Sequence, residues 1–245
     1  MTKALISDLH LEENRPDIAG LFLKFLANSI ANTKIDELYI LGDFFEYWIG
    51  DDDLTLFHQK IINALKQATK QGLAIYFTHG NRDFLIGKKF LHETGCQLLP
   101  DEYIADLYGT PTLLMHGDTL CTLDVAYLKF RKKSRSWLFK KIMSLKSLEK
   151  RRALVKNYRA KSQAYTSTTA DHIMNVTQDE VERVMLKHKV QHLIHGHTHR
   201  PDCHPFILNN QIATRTVLGA WHNDGYILMC HDDGSQHVIQ LTANN

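Results

Sequence analysis

Five short segments of the sequence carry side chains that bind metal ions, and each segment follows an apolar run. The candidate ligands are carboxylate, amide and imidazole groups: Asp8, His10, Asp43, Asn81, His116, His197 and His199. Oxygen and imidazole donors without thiolate are typical of sites that bind Mn²⁺, Fe²⁺ or Zn²⁺ for catalysis rather than of structural zinc sites. Seven ligands exceed the need of one ion, and one shared carboxylate would let them serve two ions with four contacts each.

Two cations at such a site would catalyse the attack of water on a phosphoryl group. Held about 3.5–4 Å apart, they clamp a phosphoryl group and lower the pKa of a water molecule between them, which yields a hydroxide for in-line attack. Taken singly, each of these Asp and His residues is better explained as a cap, a turn residue or a satisfied polar group. Their recurrence in five segments favours the metal site.

The elements that must position these residues follow from hydrophobic periodicity. Apolar runs predict strands at 4–7, 38–41, 73–78, 112–115 and 192–194. Helical patterns cover 17–32, 54–71 and 124 to about 189. Later apolar runs predict antiparallel hairpins from 212–218, 226–229 and 238–241. Strands that alternate with helices predict a layered α/β fold, in which ligands gather beyond the carboxyl ends of the strands.

The charge is distributed unevenly along the chain. The net charge is +2, yet fourteen of the 29 Lys and Arg residues lie between Lys129 and Lys161, where Glu149 is the single acid. Apolar residues in this basic segment are spaced so that many fall on one side of a helix: Trp137, Leu138, Phe139, Ile142, Met143, Leu145 and Leu148. This pattern is typical of binding to an anionic membrane surface or to a ligand that joins phosphate to hydrocarbon. A helical pair with a solvated basic face explains it equally well, while nucleic acid is disfavoured because stacking bases require exposed aromatics.

Composition places the chain among ordinary globular proteins. It has 245 residues, of which 44% are hydrophobic and 23% charged, which is consistent with one or two domains. The four cysteines are widely separated and form no Cys-x-x-Cys pair, so neither a zinc nor a redox motif is indicated. The first residues lack a signal-peptide pattern, and no apolar run reaches the roughly 20 residues that span a bilayer. A cytoplasmic location is therefore expected.

Five ordered motifs together resemble the signature of the calcineurin-like metallophosphoesterases over residues 1 to about 220. They are Asp8-x-His10, Gly42-Asp43, Gly80-Asn81, His116 and Gly196-His197-x-His199. The resemblance implies a layered αββα sandwich with an inserted helical cap. The core would comprise residues 1–123 and 171–245, and the cap residues 124–170. The first ion would be held by Asp8, His10, Asp43 and His199. The second would be held by Asp43, Asn81, His116 and His197, with Asp43 bridging.

Longer runs are similar to the pyrophosphohydrolase family that acts on UDP-2,3-diacylglucosamine in the lipid A pathway of Gram-negative bacteria. The runs begin at Leu41, Trp48, His79, Met115 and His195. This resemblance implies hydrolysis of the pyrophosphate to UMP and 2,3-diacylglucosamine 1-phosphate, with two Mn²⁺ per chain. It also implies a peripheral position on the cytoplasmic face of the inner membrane and no nucleic-acid partner. The oligomeric state is left open.

Substrate contacts carried over from that family fall on Asn81, Arg82, Asp124, Ser162 and His197. Where the family usually has Asn and then Lys after the cap serine, this chain has Thr166 and Thr169, which we expect to contact substrate in their place. Lys161 or Arg159 is the alternative source of the positive charge that the Lys would supply. Asp124 is equally well explained as the N-cap of a helix.

The identity of residue 82 indicates which leaving group the reaction has. Many phosphoesterases of the superfamily have a His after the Gly-Asn pair, where it protonates an alkoxide leaving group. Arg82 cannot give up its proton, but it can hold a phosphate oxygen and stabilise growing charge. A phosphate leaving group needs no proton, so we expect Arg82 and Asp43 to serve pyrophosphate cleavage. The alternatives are a generic dinuclear metallophosphoesterase acting on another phosphodiester or pyrophosphate, a metal scaffold without catalysis, and a membrane- or RNA-binding module.

Overall fold

A computed structural model of the protein describes residues 2–31, 35–170 and 173–242, without the side chains of residues 163, 166 and 167. The strands are β1 Thr2–Ile6, β2 Glu37–Ile40, β3 Ala74–Phe77, β4 Gln97–Leu98, β5 Tyr103–Asp106, β6 Pro111–Met115, β7 His192–His195, β8 Asp202–Leu208, β9 Gln211–Val217, β10 Gly225–His231 and β11 Gln236–Leu241. The helices are α1 Pro16–Ala31, α2 Leu56–Lys70, α3 Lys88–Thr94, α4 Val125–Ser134, α5 Trp137–Ser144, α6 Leu148–Thr168 and α7 Gln178–His188.

The strands form two sheets. The first has the order β11-β10-β1-β2-β3-β4, and the second has the order β5-β6-β7-β9-β8. The central strands are parallel: β1 pairs with β2 and β2 with β3, while β6 pairs with β7 and β7 with β9. Antiparallel strands close the edges, except at β4. The carboxyl ends of the parallel strands therefore lie together at one edge of each sheet.

Alternation along two central strands explains the order of the layers. In β1, Ile6 packs in the cluster that contains α1 and α2, whereas Leu5 packs between the sheets. In β6, Leu114 shares the cluster of Leu5, whereas Met115 packs with Met185 of α7. Strands buried on both faces must be apolar at every position, which is why they read as continuous runs in the sequence. The predicted αββα sandwich is confirmed.

The helical pattern predicted from 124 to about 189 is wrong as a single stretch, because it is divided into α4, α5, α6 and α7. Side chains that favour N-caps interrupt it. Ser136 accepts a hydrogen bond from the backbone N of Phe139 at 3.3 Å, and Ser147 accepts one from Lys150 at 3.4 Å. Each serine therefore begins a new helix, and α4 to α6 lie where the cap is predicted.

Other differences concern short or edge elements. Periodicity missed α3, which has seven residues, and the strands β4, β5 and β8. The hairpin prediction is right for β10 and β11, which pair antiparallel, but β9 belongs to the other sheet and pairs with the unpredicted β8. None of the helices in the described part of the chain has the length and apolarity that crossing a membrane requires.

Candidate active site

The loops after β1, β2, β3, β6 and β7 bring all seven candidate metal ligands to one place. The backbone is left-handed at five of them, with φ between 49° and 69°: Asp8, His10, Asp43, His197 and His199. Such a conformation costs a non-glycine residue on the order of 1–3 kcal/mol, and Asp and His are among the residues that adopt it most readily. The chain is therefore strained where the ligands converge, as is common at functional sites.

One cluster of donors lies beside β1. The Nε2 atoms of His10 and His199 are 3.3 Å apart, and Nε2 of His199 is 3.3 Å from Oδ1 of Asp8. These three side chains offer ligand atoms within 4.8 Å of one another. Oδ2 of Asp43 lies 3.9 Å from Nε2 of His10 and completes the set predicted for the first ion.

A second cluster centres on Asn81. Its Oδ1 lies 3.0 Å from Nε2 of His116 and 3.0 Å from Nδ1 of His197. Oδ1 of Asp43 is 3.8 Å from Nε2 of His116. The two oxygens of Asp43 thus face different clusters, which is the arrangement that a bridging carboxylate requires. Nδ1 of His116 lies 2.9 Å from the carbonyl oxygen of Leu41, so that its proton is held there and Nε2 is left for a metal.

Two glycines let the ligand loops approach each other. A Cβ added at Gly80 would overlap the backbone nitrogen and Oδ1 of Asp43, and one added at Gly196 would overlap Oδ2 of Asp8. Any larger residue would therefore push the loops apart. The Gly-Asn and Gly-His pairs of the sequence are explained by this contact.

The residues present fit a divalent cation. Asp8 is fully buried, and its Oδ2 accepts a hydrogen bond from the backbone N of His197 at 2.8 Å, while its Oδ1 makes no hydrogen bond with any described residue, although Nε2 of His199 lies 3.3 Å away. A buried carboxylate oxygen without a partner carries a large desolvation cost. A cation among these oxygen and imidazole donors would remove that cost, and the donor set is one that Mn²⁺, Fe²⁺ and Zn²⁺ accept.

Burial and neighbouring charges shift the pKa values of the candidate ligands in different directions. Burial opposes ionisation of Asp8, but His199 and the neighbouring imidazoles outweigh it and lower the pKa of its carboxyl. Burial also opposes the charge on His10, yet contact with Glu46 and the nearby carboxylates raises its pKa to about 8. Burial and the proximity of His116 lower the pKa of His197 to about 4. Because ligands must be deprotonated, metal binding would release a proton from His10.

Asp83 supports the site and was missed in the sequence. It is fully buried, and its Oδ1 and Oδ2 accept hydrogen bonds at 2.8 Å from the backbone N of Gly80 and of Phe44 respectively. These two hydrogen bonds connect the loop after β2 to the loop after β3. Burial, reinforced by the charge of Asp43, raises the pKa of Asp83 to about 7. No periodic or motif signal marks such a residue beyond its place after Arg82.

A cavity of about 580 Å³ lies between the metal-ligand loops and α4 to α6. Its core wall includes predicted ligands: His10, Asp43, Asn81, His197 and His199. Its cap wall combines charged and polar residues, among them Asp124, Arg159, Lys161 and Ser162, with apolar or aromatic ones: Ala126, Phe130, Phe139, Met143, Val155 and Tyr158. The predicted substrate contacts that line it are Asn81, Arg82, Asp124, Ser162 and His197. Polar and apolar surfaces therefore meet in one chamber.

Asp124 also has a structural role, and the two predicted threonine contacts are placed differently. Asp124 is the N-cap of α4: its Oδ1 accepts from the backbone N of Tyr127 at 2.9 Å and from the hydroxyl of Tyr165 at 3.0 Å. Thr169 is absent from the described lining of the cavity, and its hydroxyl donates to the carbonyl oxygen of Tyr165 at 2.7 Å. The side chain of Thr166 lies outside the described residues.

The basic segment divides by residue type. Each of its five arginines pairs with a carboxylate of the core: Arg131 and Arg135 with Asp101 and Asp118, Arg151 with Asp52, Arg152 with Asp53, and Arg159 with Glu46. Its nine lysines form no ion pair with any described residue. The arginines therefore attach the cap to the core, while the lysines supply positive charge to its surface and, at Lys161, to the cavity.

The apolar residues of α5 also divide, so the prediction of one stripe is corrected. Phe139 and Met143 line the cavity, and Phe139 packs 6.5 Å from Phe84 between ring centroids. Trp137 and Leu145 face outward, with 71% and 78% of their surface exposed. A short helix between a cavity and solvent can present apolar residues to both sides.

Comparison with known proteins assigns the class. Residues 1–201 match the family described as Calcineurin-like phosphoesterase, and the chain belongs to this family of metal-dependent hydrolases. A protein of Ectopseudomonas mendocina, named UDP-2,3-diacylglucosamine hydrolase, is 49% identical over 239 residues, which are 97% of this chain and 98% of that protein. A protein of Photobacterium profundum with the same name is 47% identical over 234 residues, which are 96% and 95% of the two chains.

Among solved structures, a dimetal phosphatase from Danio rerio is similar with a TM-score of 0.45 and 12% identity, over 99% of each chain.

Proposed function

We propose that the protein hydrolyses the pyrophosphate bond of UDP-2,3-diacylglucosamine and releases UMP and 2,3-diacylglucosamine 1-phosphate, a step of lipid A biosynthesis. The names of the relatives at 49% and 47% identity support this substrate. The single observation that carries the proposal is the two-sided cavity, in which candidate metal ligands face the apolar residues of the cap wall. A ligand that joins a pyrophosphate to acyl chains matches both walls.

Two Mn²⁺ are the proposed cofactors. Asp8, His10, Asp43 and His199 would hold one, and Asp43, Asn81, His116 and His197 the other. Bound at these ligands, divalent cations supply Lewis-acid polarisation of phosphoryl oxygens and lower the pKa of water. The orientation of Asp43, with one oxygen toward each cluster, supports its role as the bridging ligand.

Arg82 is proposed to hold an oxygen of the phosphate that leaves when the pyrophosphate bond breaks. Its side chain lines the cavity, and its Nε is buried without a hydrogen-bond partner among the described residues. Its Nη1 lies 3.5 Å from Oε1 of Glu46, which leaves the guanidinium weakly engaged. A buried unpaired donor favours an anionic ligand, because its desolvation cost is then recovered. Arg82 would stabilise charge that grows on phosphate oxygens, and a phosphate leaves without an acid.

Substrate contacts at Asp124, Ser162, Thr166 and Thr169, and the cap boundaries at 124 and 170, are part of the same proposal. Oδ1 of Asp124 accepts hydrogen bonds from Tyr127 and Tyr165, whereas Oδ2 has no hydrogen bond with any described residue and would accept one from a sugar or amide donor. Its structural role as an N-cap and a substrate contact are therefore compatible. Thr169 would have to rotate its hydroxyl away from Tyr165 to reach a ligand.

Peripheral binding to an anionic inner-membrane surface, on the cytoplasmic side, is proposed for the outer face of α5. This face consists of exposed apolar residues: Trp137, Leu138, Ile142 and Leu145. Lys146 and Lys150 lie beside Ile142 and Leu145, and Nζ of Lys141 lies 5.0 Å from the ring centroid of Trp137. Apolar side chains beside lysine favour the boundary between acyl chains and anionic headgroups. Acyl chains could then pass from the bilayer to the cavity through the cap.

The competing function is a generic dinuclear phosphoesterase acting on another phosphodiester or pyrophosphate. Release of UMP from UDP-2,3-diacylglucosamine, measured beside hydrolysis of bis(p-nitrophenyl) phosphate, separates the two. We expect kcat/KM for the UDP-lipid to be at least about a hundredfold higher, because only that substrate uses both cavity walls. Faster hydrolysis of the aryl diester would contradict the proposal. Phe139→Ser should lower kcat/KM for the UDP-lipid alone, while Leu56→Ser, at an exposed site on α2, should change neither.

A further inference from the structure

Arg135 lies where the cap meets the metal-ligand loops. It ends α4, and its side chain is only 13% exposed. Its Nη2 donates a hydrogen bond of 2.8 Å to the carbonyl oxygen of Gly80, the residue before Asn81. The same guanidinium is 3.2 Å from Oδ1 of Asp101 and 3.6 Å from Oδ2 of Asp118. One side chain of the cap therefore contacts three separate parts of the core.

Asp118 is the buried anchor of this contact. Its side chain is 2% exposed and lies on the turn that follows His116. Oδ2 of Asp118 accepts a hydrogen bond from Nε of Arg131 at 2.6 Å and another from the hydroxyl of Tyr127. Two guanidinium partners offset the desolvation cost of this buried carboxylate. Removal of either partner would leave part of its negative charge uncompensated. The position of Arg135 is thus fixed from the core side.

Arg131 and Arg135 differ in one respect. Both contact Asp118 and Asp101, so both attach α4 to the core. Arg135 also contacts the loop after β3, through the carbonyl of Gly80 and the ring of Phe84, whose centroid lies 5.8 Å from its Cζ. Only the second arginine of the pair therefore touches the segment that carries Asn81.

The peptide group between Gly80 and Asn81 is planar, so an atom that holds its carbonyl oxygen also holds the orientation of the chain entering Asn81. Glycine itself provides little restraint on that plane. On the other side of the plane, Oδ1 of Asn81 must lie between His116 and His197, at 3.0 Å from each ring. A rotation of the peptide would carry this oxygen away from both imidazoles.

We propose that Arg135 is a positioning residue for the second metal cluster: by holding the Gly80 carbonyl, it keeps Asn81 between His116 and His197 and couples the seating of the cap to metal affinity. This inference rests on the proposed function, because it takes Asn81 as a metal ligand.

The test compares Arg135→Met with Arg131→Met, since both changes remove pairings to Asp118 and Asp101, and those of Arg131 are the shorter ones. Mn²⁺ binding to metal-free protein is measured by calorimetry or by the electron paramagnetic resonance signal of free Mn²⁺, and UMP release gives kcat and KM. Removal of a group behind a ligand commonly lowers metal affinity 10–100-fold. We expect Arg135→Met to weaken the second Mn²⁺ about tenfold and to lower kcat. Arg131→Met should raise KM through a looser cap, with Mn²⁺ affinity within about twofold of the wild type.

Equal losses of Mn²⁺ affinity in the two variants, or no loss in Arg135→Met, would overturn the inference, because cap attachment alone would then account for both arginines. If the methionine variants do not fold, Arg135→Lys and Arg131→Lys make the same comparison, since one ammonium cannot span Asp118 and the Gly80 carbonyl as the guanidinium does. Asn81→Ala separates a failure of the proposed ligand set from a failure of the role proposed for Arg135. Unchanged Mn²⁺ binding in that variant would refute the proposed ligand set, whereas weakened binding beside an unaffected Arg135→Met would refute the inference alone.

Discussion

Nδ1 of His10 lies 2.8 Å from Oε2 of Glu46, which places a carboxylate directly behind a candidate metal ligand. Nη2 of Arg159, on α6, donates a hydrogen bond of 2.5 Å to Oε1 of Glu46. Glu46 therefore joins the first ligand cluster to the cap. A carboxylate behind a histidine fixes the ring orientation and makes the opposite nitrogen a better ligand.

Glu46→Gln is expected to weaken Mn²⁺ binding at the first cluster about 10–100-fold, because the neutral amide supports His10 less well as a ligand. Calorimetric titration of metal-free protein measures the change. Glu149→Gln, at an exposed site on α6, is the control and should leave Mn²⁺ affinity unchanged. Wild-type affinity in Glu46→Gln would mean that the contact has no part in metal binding.

Arg82→Ala is expected to lower kcat for the UDP-lipid on the order of 100-fold or more, because a preorganised donor to the charged phosphoryl oxygens is lost. The loss should be smaller for bis(p-nitrophenyl) phosphate, which has no second phosphate. Steady-state kinetics on both substrates provide the test, with Arg183→Ala on α7 as a remote control. Equal losses on the two substrates would show that Arg82 does not distinguish a pyrophosphate.

The double variant Trp137→Glu with Leu145→Glu should bind vesicles containing phosphatidylglycerol at least about tenfold more weakly, since two apolar side chains would no longer enter the bilayer and two negative charges would be repelled. Cosedimentation with the vesicles measures binding. Turnover of detergent-dispersed substrate should be retained. Leu56→Glu, which alters a residue that is 83% exposed on α2, is the matched control. Undiminished vesicle binding by the double variant would exclude this face as the docking surface.

Stability should fall between pH 7.5 and pH 5 partly because of His58. Burial lowers the pKa of His58 below its ordinary value of 6.5, against the opposing effect of its bond to the carbonyl of Asp53. As the pH falls, His58 is therefore protonated in the unfolded chain before it is protonated in the folded protein. The contribution of neutral His58 to the free energy of unfolding is present above pH 6.5 and is lost as the pH falls below that value. Chemical unfolding of metal-free protein at several pH values should show a smaller decrease for His58→Asn than for wild type.

An exposed histidine provides the comparison for that measurement. His92→Asn should reproduce the wild-type pH dependence. If His58→Asn loses as much stability on acidification as wild type, His58 does not carry the effect.

The sequence predicted the layers and the meeting of the ligands because both depend on local patterns. The buried positions of β1 are all apolar and those of β6 are apolar except Thr112, and a polar residue after the last apolar one marks the carboxyl end of the strand. Since parallel strands of one sheet share that end, Asp8 and Asp43, which follow β1 and β2, could be expected to converge without any knowledge of the register.

The sequence could not predict which charges pair across the fold. Arg135 and Arg159 belong to one basic run, yet their partners Asp118 and Glu46 are far apart in the chain and follow no period. The run was therefore interpreted as a surface property, whereas its arginines face the core. Division of the helical pattern at Ser136 and Ser147 was also missed, because serine is tolerated within helices and begins one only where the chain turns.

Metal dependence of UMP release tests the central claim most directly. Enzyme stripped by chelation should release no UMP from UDP-2,3-diacylglucosamine, and activity should return as Mn²⁺ is added, with full recovery at two bound ions per chain and little recovery in Asp43→Ala. Full turnover with one ion bound, undiminished turnover after chelation, or Mn²⁺-dependent turnover that survives in Asp43→Ala would contradict the account.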